Sequence, residues 1–209
     1  MPAPTVLGST QTLTTAATIT PDTGANYLVV VSHAADNVAA DTPSSVTWDG
    51  VSLTKQIDKD NTLTANAIWT LTSPTTAAAS LNWTGGASVR GLMILWLSGV
   101  STATPVRGST ASSAAASSAL SVTIASDVND LVVYGISESN AETLSTANGI
   151  VEHQENTNAN GRGALGSETG AASQTGGWTK ATAGEMAITA ISLQGPTGFV
   201  PPMRVFLFG

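Results

Sequence analysis

The chain has 209 residues, of which 42% are hydrophobic and only 10% charged, so it can bury a sizeable core and is not a disordered polyelectrolyte. A net charge of -7 without a basic stripe argues against a nucleic-acid partner, because nothing is available to displace counterions from phosphates. The lack of cysteine excludes disulfides and thiolate metal sites, and no run approaches the roughly 18 apolar residues of a membrane-spanning helix.

Met1-Pro2-Ala3-Pro4 opens the chain with neither a basic segment nor an apolar stretch of signal-peptide length. Synthesis and folding in a host cytoplasm are therefore expected. Strand signals follow. Leu13 to Thr20 alternates loosely, Pro21-Asp22-Thr23-Gly24 supplies a turn, and Tyr27 to Ser32 is a β-branched run. Val46-Thr47-Trp48, Asp49-Gly50 and Val51-Ser52-Leu53 read as a hairpin whose two-residue turn accepts positive φ angles. Ala67 to Leu71 alternates and ends at Ser73-Pro74, Ser80 to Trp83 is short and closed by Gly85-Gly86, and Gly91 to Leu97 is the most apolar strand. No segment carries a capped helical stripe, so helix is expected to be scarce.

Residues 101–119, rich in Ser and Ala, read as a crossing connection between two similar halves, about 10–100 and 120–195. Asn129-Asp130-Leu131-Val132-Val133-Tyr134 mirrors Asn26-Tyr27-Leu28-Val29-Val30-Val31, and Asn148-Gly149 falls where Asp49-Gly50 fell. Trp178-Thr179 corresponds to Trp83-Thr84, and Ile191-Ser192-Leu193 to Leu95-Trp96-Leu97. Four or five short strands cannot cover their own apolar face, whereas two such sheets can cover each other. The expected fold is all-β: one two-sheet antiparallel β-sandwich over residues 1–195, jelly-roll-like, with an internal pseudo-repeat and an extended C-terminal tail, 196–209. Two independent small sandwiches are the rival reading.

The order of Leu28 to Val31, the hairpin Val46 to Leu53, Ile68-Trp69 with Pro74, Leu97-Ser98-Gly99-Val100, Leu131-Val132-Val133 and Ala190 to Leu193 resembles a β-sandwich domain of phage virion structural proteins and bacterial surface proteins. The resemblance spans about residues 10–195. It implies a fold and a setting, and brings no catalytic residues with it.

Candidates for chemistry are few. The two histidines, His33 and His153, are placed at a strand end and in a loop-like stretch, with no Gly-x-Ser-x-Gly segment to supply a nucleophile. Paired carboxylates for glycoside hydrolysis would come from Asp49, Asp58, Asp60, Glu138, Glu142 or Glu152, nearly all in expected turns. Asp58-Lys59-Asp60-Asn61 has the alternation of a calcium loop without its glycine and downstream glutamate, and reads as an acidic hairpin tip. Asn82-Trp83-Thr84 fits a glycosylation pattern, taken as coincidental. The five tryptophans are expected mostly to pack between sheets. Neither a catalytic residue, a cofactor nor a metal is expected.

Two surfaces stand out. Gly91 to Leu97 is apolar on both parities; Leu95 and Leu97 are expected to face the core, leaving Leu92, Ile94 and Trp96 to be covered by a loop of the same chain or by another subunit. The tail holds all three phenylalanines, and Phe199, Val205, Phe206, Leu207 and Phe208 are expected at a subunit interface, adding a strand to an exposed sheet edge, the alternative being that the tail folds back on its own sandwich. The expectation is a non-enzymatic virion structural protein, on the head surface as a decoration or in a tail appendage. It would self-associate as a homo-oligomer and attach to other capsid or tail proteins, with no nucleic acid or membrane partner. A carbohydrate- or receptor-binding module, meeting a host surface glycan through exposed tryptophans, is the alternative; a glycoside hydrolase-like enzyme is the third.

Overall fold

A computed structural model describes residues 2–36 and 39–196. Its strands are β1 (Thr5–Thr12), β2 (Ala17–Ile19), β3 (Tyr27–Ala35), β4 (Ser45–Trp48), β5 (Val51–Ser52), β6 (Thr54–Asp60), β7 (Thr64–Thr72), β8 (Ala79–Thr84), β9 (Val89–Ser98), β10 (Val106–Ala125), β11 (Asp130–Glu138), β12 (Ser145–Ala147), β13 (Val151–Asn158), β14 (Gly161–Thr169) and β15 (Ser173–Gln194). No helix occurs among the described residues, and the protein is all-β.

Two antiparallel sheets face each other. The first has the order β1-β9-β3-β7-β6 and the second β10-β15-β11-β14-β13, with β12 added on β15. Their shared core is built from Tyr27, Val29, Val31, Met93, Leu95 and Leu97 on one side and Leu131, Val133, Leu165, Ile191 and Leu193 on the other. The expected core-facing parity of Leu95, Leu97, Ile191 and Leu193 is what the chain adopts. Because one core joins the sheets, the two halves are not separate sandwiches.

Each sheet is also covered on its outer face, which a plain two-sheet sandwich does not require. A small sheet, β2-β8-β4-β5, lies over the first. Val46, Trp48 and Leu81 from it pack on Leu28, Val30, Leu92, Ile94 and Trp96, with Trp48 edge-on to Trp96 at 5.2 Å between ring centroids. The second sheet covers itself. Trp178 of β15 shares a core with Ile188 and Ala190 of the same strand and with Val122 and Ile124 of β10, so the β10–β15 ribbon doubles back over its own sheet. The pairing register breaks at that fold, between Ala114 and Ser117 and again between Ser117 and Ala119.

The Ser/Ala segment is thus not a connection but most of a 20-residue strand. Ala and Ser are weak strand formers, and a partner as long as β15 overrides that preference. Three further strands depart from the sequence expectation: β1 and β14 form where none was assigned, and His153 lies in β13 rather than in a loop. Asp58 and Asp60 lie at the end of β6, where Asn61 N bonds the Thr64 carbonyl and the chain turns into β7, so the acidic stretch stands at the tip of a hairpin. The Asp49-Gly50 turn has φ of 51° and 77°, as a two-residue hairpin demands, and Asn148-Gly149 adopts 62° and 90°.

The correspondence of Leu131 with Leu28 is one residue out of step with the strand pairing. Tyr27 pairs with Leu97 and Leu131 with Leu193, which sets Leu131 beside Tyr27 instead. β3 and β11 are buried on both faces, so neither has the alternation that fixes parity in a sequence.

Candidate functional surfaces

A deeply buried polar patch between the two main sheets gathers residues from β3, β7, β11, β13 and β15. His33 Nδ1 is 3.1 Å from Ser137 Oγ, and His33 Nε2 is 3.2 Å from Asn158 Nδ2. Ser137 Oγ donates to the carbonyl of Ala65 at 2.8 Å and accepts from Asn66 Nδ2 at 3.2 Å, while Thr189 Oγ1 donates to Asn66 Oδ1. The serine proton is therefore committed to Ala65, and Asn158 donates to Nε2. His33 must carry its proton on Nδ1 and donate to Ser137. That is the reverse of nucleophile activation, in which the imidazole accepts the serine proton. Burial, with a smaller contribution from Arg90, pushes the His33 pKa down to about 3, so the ring is neutral. The patch locks the sheets together and has no exposed atom for a substrate to reach at His33 or Ser137.

His153 Nε2 is 2.8 Å from Ser167 Oγ, and burial lowers the imidazole pKa. Ser9 Oγ donates to the His153 carbonyl at 3.1 Å and accepts from Gln154 Nε2 at 2.9 Å, making a strut between β1 and β13. The six carboxylates considered for glycoside hydrolysis are dispersed. Asp49 is in the β4–β5 turn and Asp58 and Asp60 lie on β6. Glu138 is sealed in an ion pair with Lys180, Glu142 accepts from Thr182 N, and Glu152 accepts from Trp178 Nε1. Among the described residues no three His, Asp or Glu side chains are placed to hold a metal.

Trp48, Trp69, Trp96 and Trp178 are buried, and Trp83 is half-buried against the core under the small sheet. None forms an exposed stacking platform for a sugar. The correspondence of Trp83 with Trp178 does not extend to their surroundings, since Trp178 is fully enclosed.

Leu92, Ile94 and Trp96 correct the interface expectation. All three are fully enclosed inside the protomer, because β4 and β8 of the small sheet supply the cover that was assigned in part to another subunit. Phe199, Val205, Phe206, Leu207 and Phe208 lie outside the described residues.

What remains exposed is the set of sheet edges, and a free edge is a template for strand addition unless something blunts it. β6 carries Lys55, Asp58, Lys59 and Asp60, and β13 carries Glu152 and Glu155. β2 and β5 are only three and two residues long. β1 is interrupted by a bulge between Val6 and Gly8. The Asp22 carboxylate crowds that bulge, so closely that a Cβ on Gly8 would lie 2.2 Å from it. An open cleft of about 420 Å³ separates β1 from β2, and Asp22 is the one ionisable residue lining it. β10 is different. Over the 18 residues from Gly108 to Ala125 it has no charged side chain and no proline, and it forms the outer strand of its sheet. Its one charged residue, Arg107, is engaged at the end of the strand by Asp130 (2.5 Å) and Asp127 (3.7 Å).

No family model matches the chain, and no curated protein or solved structure is significantly similar to it.

Proposed function

We propose that the chain is a non-enzymatic structural protein that works by association, as a head-surface or tail-appendage component of a phage-like virion. The observation that supports association is the β10 edge: the longest outer strand among the described residues carries no charge or proline from Gly108 to Ala125, and its register breaks leave Gly108 to Ala114 and Ala119 to Ala125 as two continuously paired runs. The virion setting rests on the strand-order resemblance and on a low-charge, Ser- and Thr-rich composition suited to a surface protein. The apolar segment 196–209, of which only Pro196 is described, is the second attachment element in this reading, because a solvated run containing all three phenylalanines is costly.

Light scattering on the full chain and on a chain ending at Gly195 tests association. The full chain is expected to be oligomeric, and the shortened one to lose its larger assemblies. A full chain that stays monomeric at every concentration removes the basis of the proposal. The setting is tested separately by asking whether the chain co-sediments, in fixed stoichiometry, with purified particles.

A further inference from the structure

The uncharged edge has a feature that ordinary solubility does not require. Residues 111 to 119 of β10 read Ala-Ser-Ser-Ala-Ala-Ala-Ser-Ser-Ala, the same in both directions about Ala115. When a strand pairs antiparallel with a copy of itself across a two-fold axis, each residue faces its mirror position in the sequence. An axis at Ala115 sets Ala111 against Ala119, Ser112 against Ser118, Ser113 against Ser117 and Ala114 against Ala116. Alanine meets alanine and serine meets serine, with side chains small enough for close approach and no like charges opposed.

The fold supplies a second, independent coincidence. The β10–β15 register breaks between Ala114 and Ala119, and Ala115, Ala116 and Ser118 have no facing Cα on β15. The ribbon doubles back there, and Ala115, Ala116, Ser118 and Ala119 are exposed. Part of the break is closed locally. Asn61 Nδ2 donates to the Ala114 carbonyl at 3.0 Å, and Ser117 Oγ bonds both the carbonyl and the amide of Ala119. A strand bent out of the plane of its sheet can pair with its own copy along its length only when the two-fold axis passes through the bend. Placed anywhere else, the axis would send the two bends apart. The centre of the sequence symmetry, Ala115, falls within the break, which runs from Ala114 to Ala119.

From these two observations we infer that β10 pairs antiparallel with β10 of a second copy of this chain, across a two-fold axis at Ala115, joining the second sheets of two protomers into one. The occupant is a second copy because the edge is complementary to its own reversal, and such an isologous contact closes at a dimer. The inference rests on the association reading above and names its interface.

The test uses the full chain and exploits the exposure of Ala115, which admits a longer side chain without disturbing the core. Ala115→Lys and Ala115→Glu each place a charge against its own copy, so each is expected to halve the mass of the wild-type dimer in light scattering, with an unchanged far-ultraviolet circular dichroism spectrum. Mixing the two variants is expected to restore the dimer as a heterodimer. Because the chain has no native cysteine, Ala115→Cys is expected to form a covalent dimer on mild oxidation. If Ala115→Lys retains the wild-type mass, or if mixing restores nothing, the β10 pairing is overturned. Association elsewhere, through the tail, then stands. A monomeric wild type overturns both.

Discussion

His33 and Ser137 meet across the seam between the two main sheets, Nδ1 to Oγ at 3.1 Å, and they occupy the same place in their respective sheets. Tyr27 on β3 pairs with Leu97, and Leu131 on β11 with Leu193; His33 stands six residues after Tyr27, and Ser137 six after Leu131. The strand orders β1-β9-β3-β7-β6 and β10-β15-β11-β14-β13 follow the chain in the same sequence of steps. The contact therefore lies where one half of the molecule looks directly at the other, and its bonds hold two elements that apolar packing alone could let slide.

The seam should make stability depend on pH through His33. The folded pKa is near 3, whereas an unfolded histidine titrates near ~6.5. Below the unfolded value the unfolded chain binds a proton that the folded chain refuses, so stability is complete above that value. It falls as pH drops towards 3, by up to about 1.4 kcal/mol per pH unit. His33→Gln should be less stable at pH 7 by ~1–3 kcal/mol, since Ser137 and Asn158 lose a partner, yet should lose less between pH 6.5 and 4. Urea midpoints of both proteins across this range check it; equal slopes would show that His33 is not the group responsible.

Glu138 and Lys180 form an ion pair at 3.0 Å with both side chains fully enclosed, and the Glu138 carboxylate also accepts from the amides of Asn140 and Glu142. Removing one partner strands a buried charge. Lys180→Met should cost ~3–5 kcal/mol in urea unfolding, and the double replacement Lys180→Met/Glu138→Gln should cost less than the two singles together. Additive losses would mean that the two side chains do not depend on one another.

Leu92 tests the covering of β9. Because its side chain meets the small sheet and not another subunit, Leu92→Ala should lower stability by ~2–5 kcal/mol and leave the oligomeric mass unchanged. A change of mass at little cost in stability would restore the interface assignment.

Gly163 marks how closely the sheets approach. A Cβ there would lie 2.5 Å from His33 Cγ, so Gly163→Ala should destabilise the protein by ~1–3 kcal/mol through overpacking at the seam. A neutral effect in thermal unfolding would mean that the sheets separate there without penalty.

The strands that sequence reading located are those with apolar or β-branched runs: β3, β7, β8, β9, the β4–β5 hairpin and β11. β10 escaped because Ser and Ala have little strand preference and became a strand only through pairing with β15. β14, GRGALGSET, escaped because its glycines serve packing that is visible only in three dimensions: Gly161, Gly163 and Gly166 lie against Glu138, His33 and Ile150. That Gly91 to Leu97 needed cover on both faces could be read directly. Which surface supplied it could not, since β2, β4, β5 and β8 are short and their apolar residues, such as Val46 and Leu81, reveal no partner until the strands are assembled. The palindrome at Ala115 was present in the letters, but it acquired meaning only once that stretch proved to be an exposed edge.

β15 lies between β10 and β11, so the second sheet is completed from its middle by the last of its described strands to be made. During synthesis β10 emerges well before its partner and must wait, unpaired on both sides, until residues beyond 173 have left the ribosome. An apolar strand of this length would be an aggregation hazard during that interval. The middle of β10, residues 109–119, holds only Ser, Thr and Ala, so that stretch offers unfinished neighbours little apolar surface, and the apolar residues of the strand are confined to its two ends until the closing strand arrives.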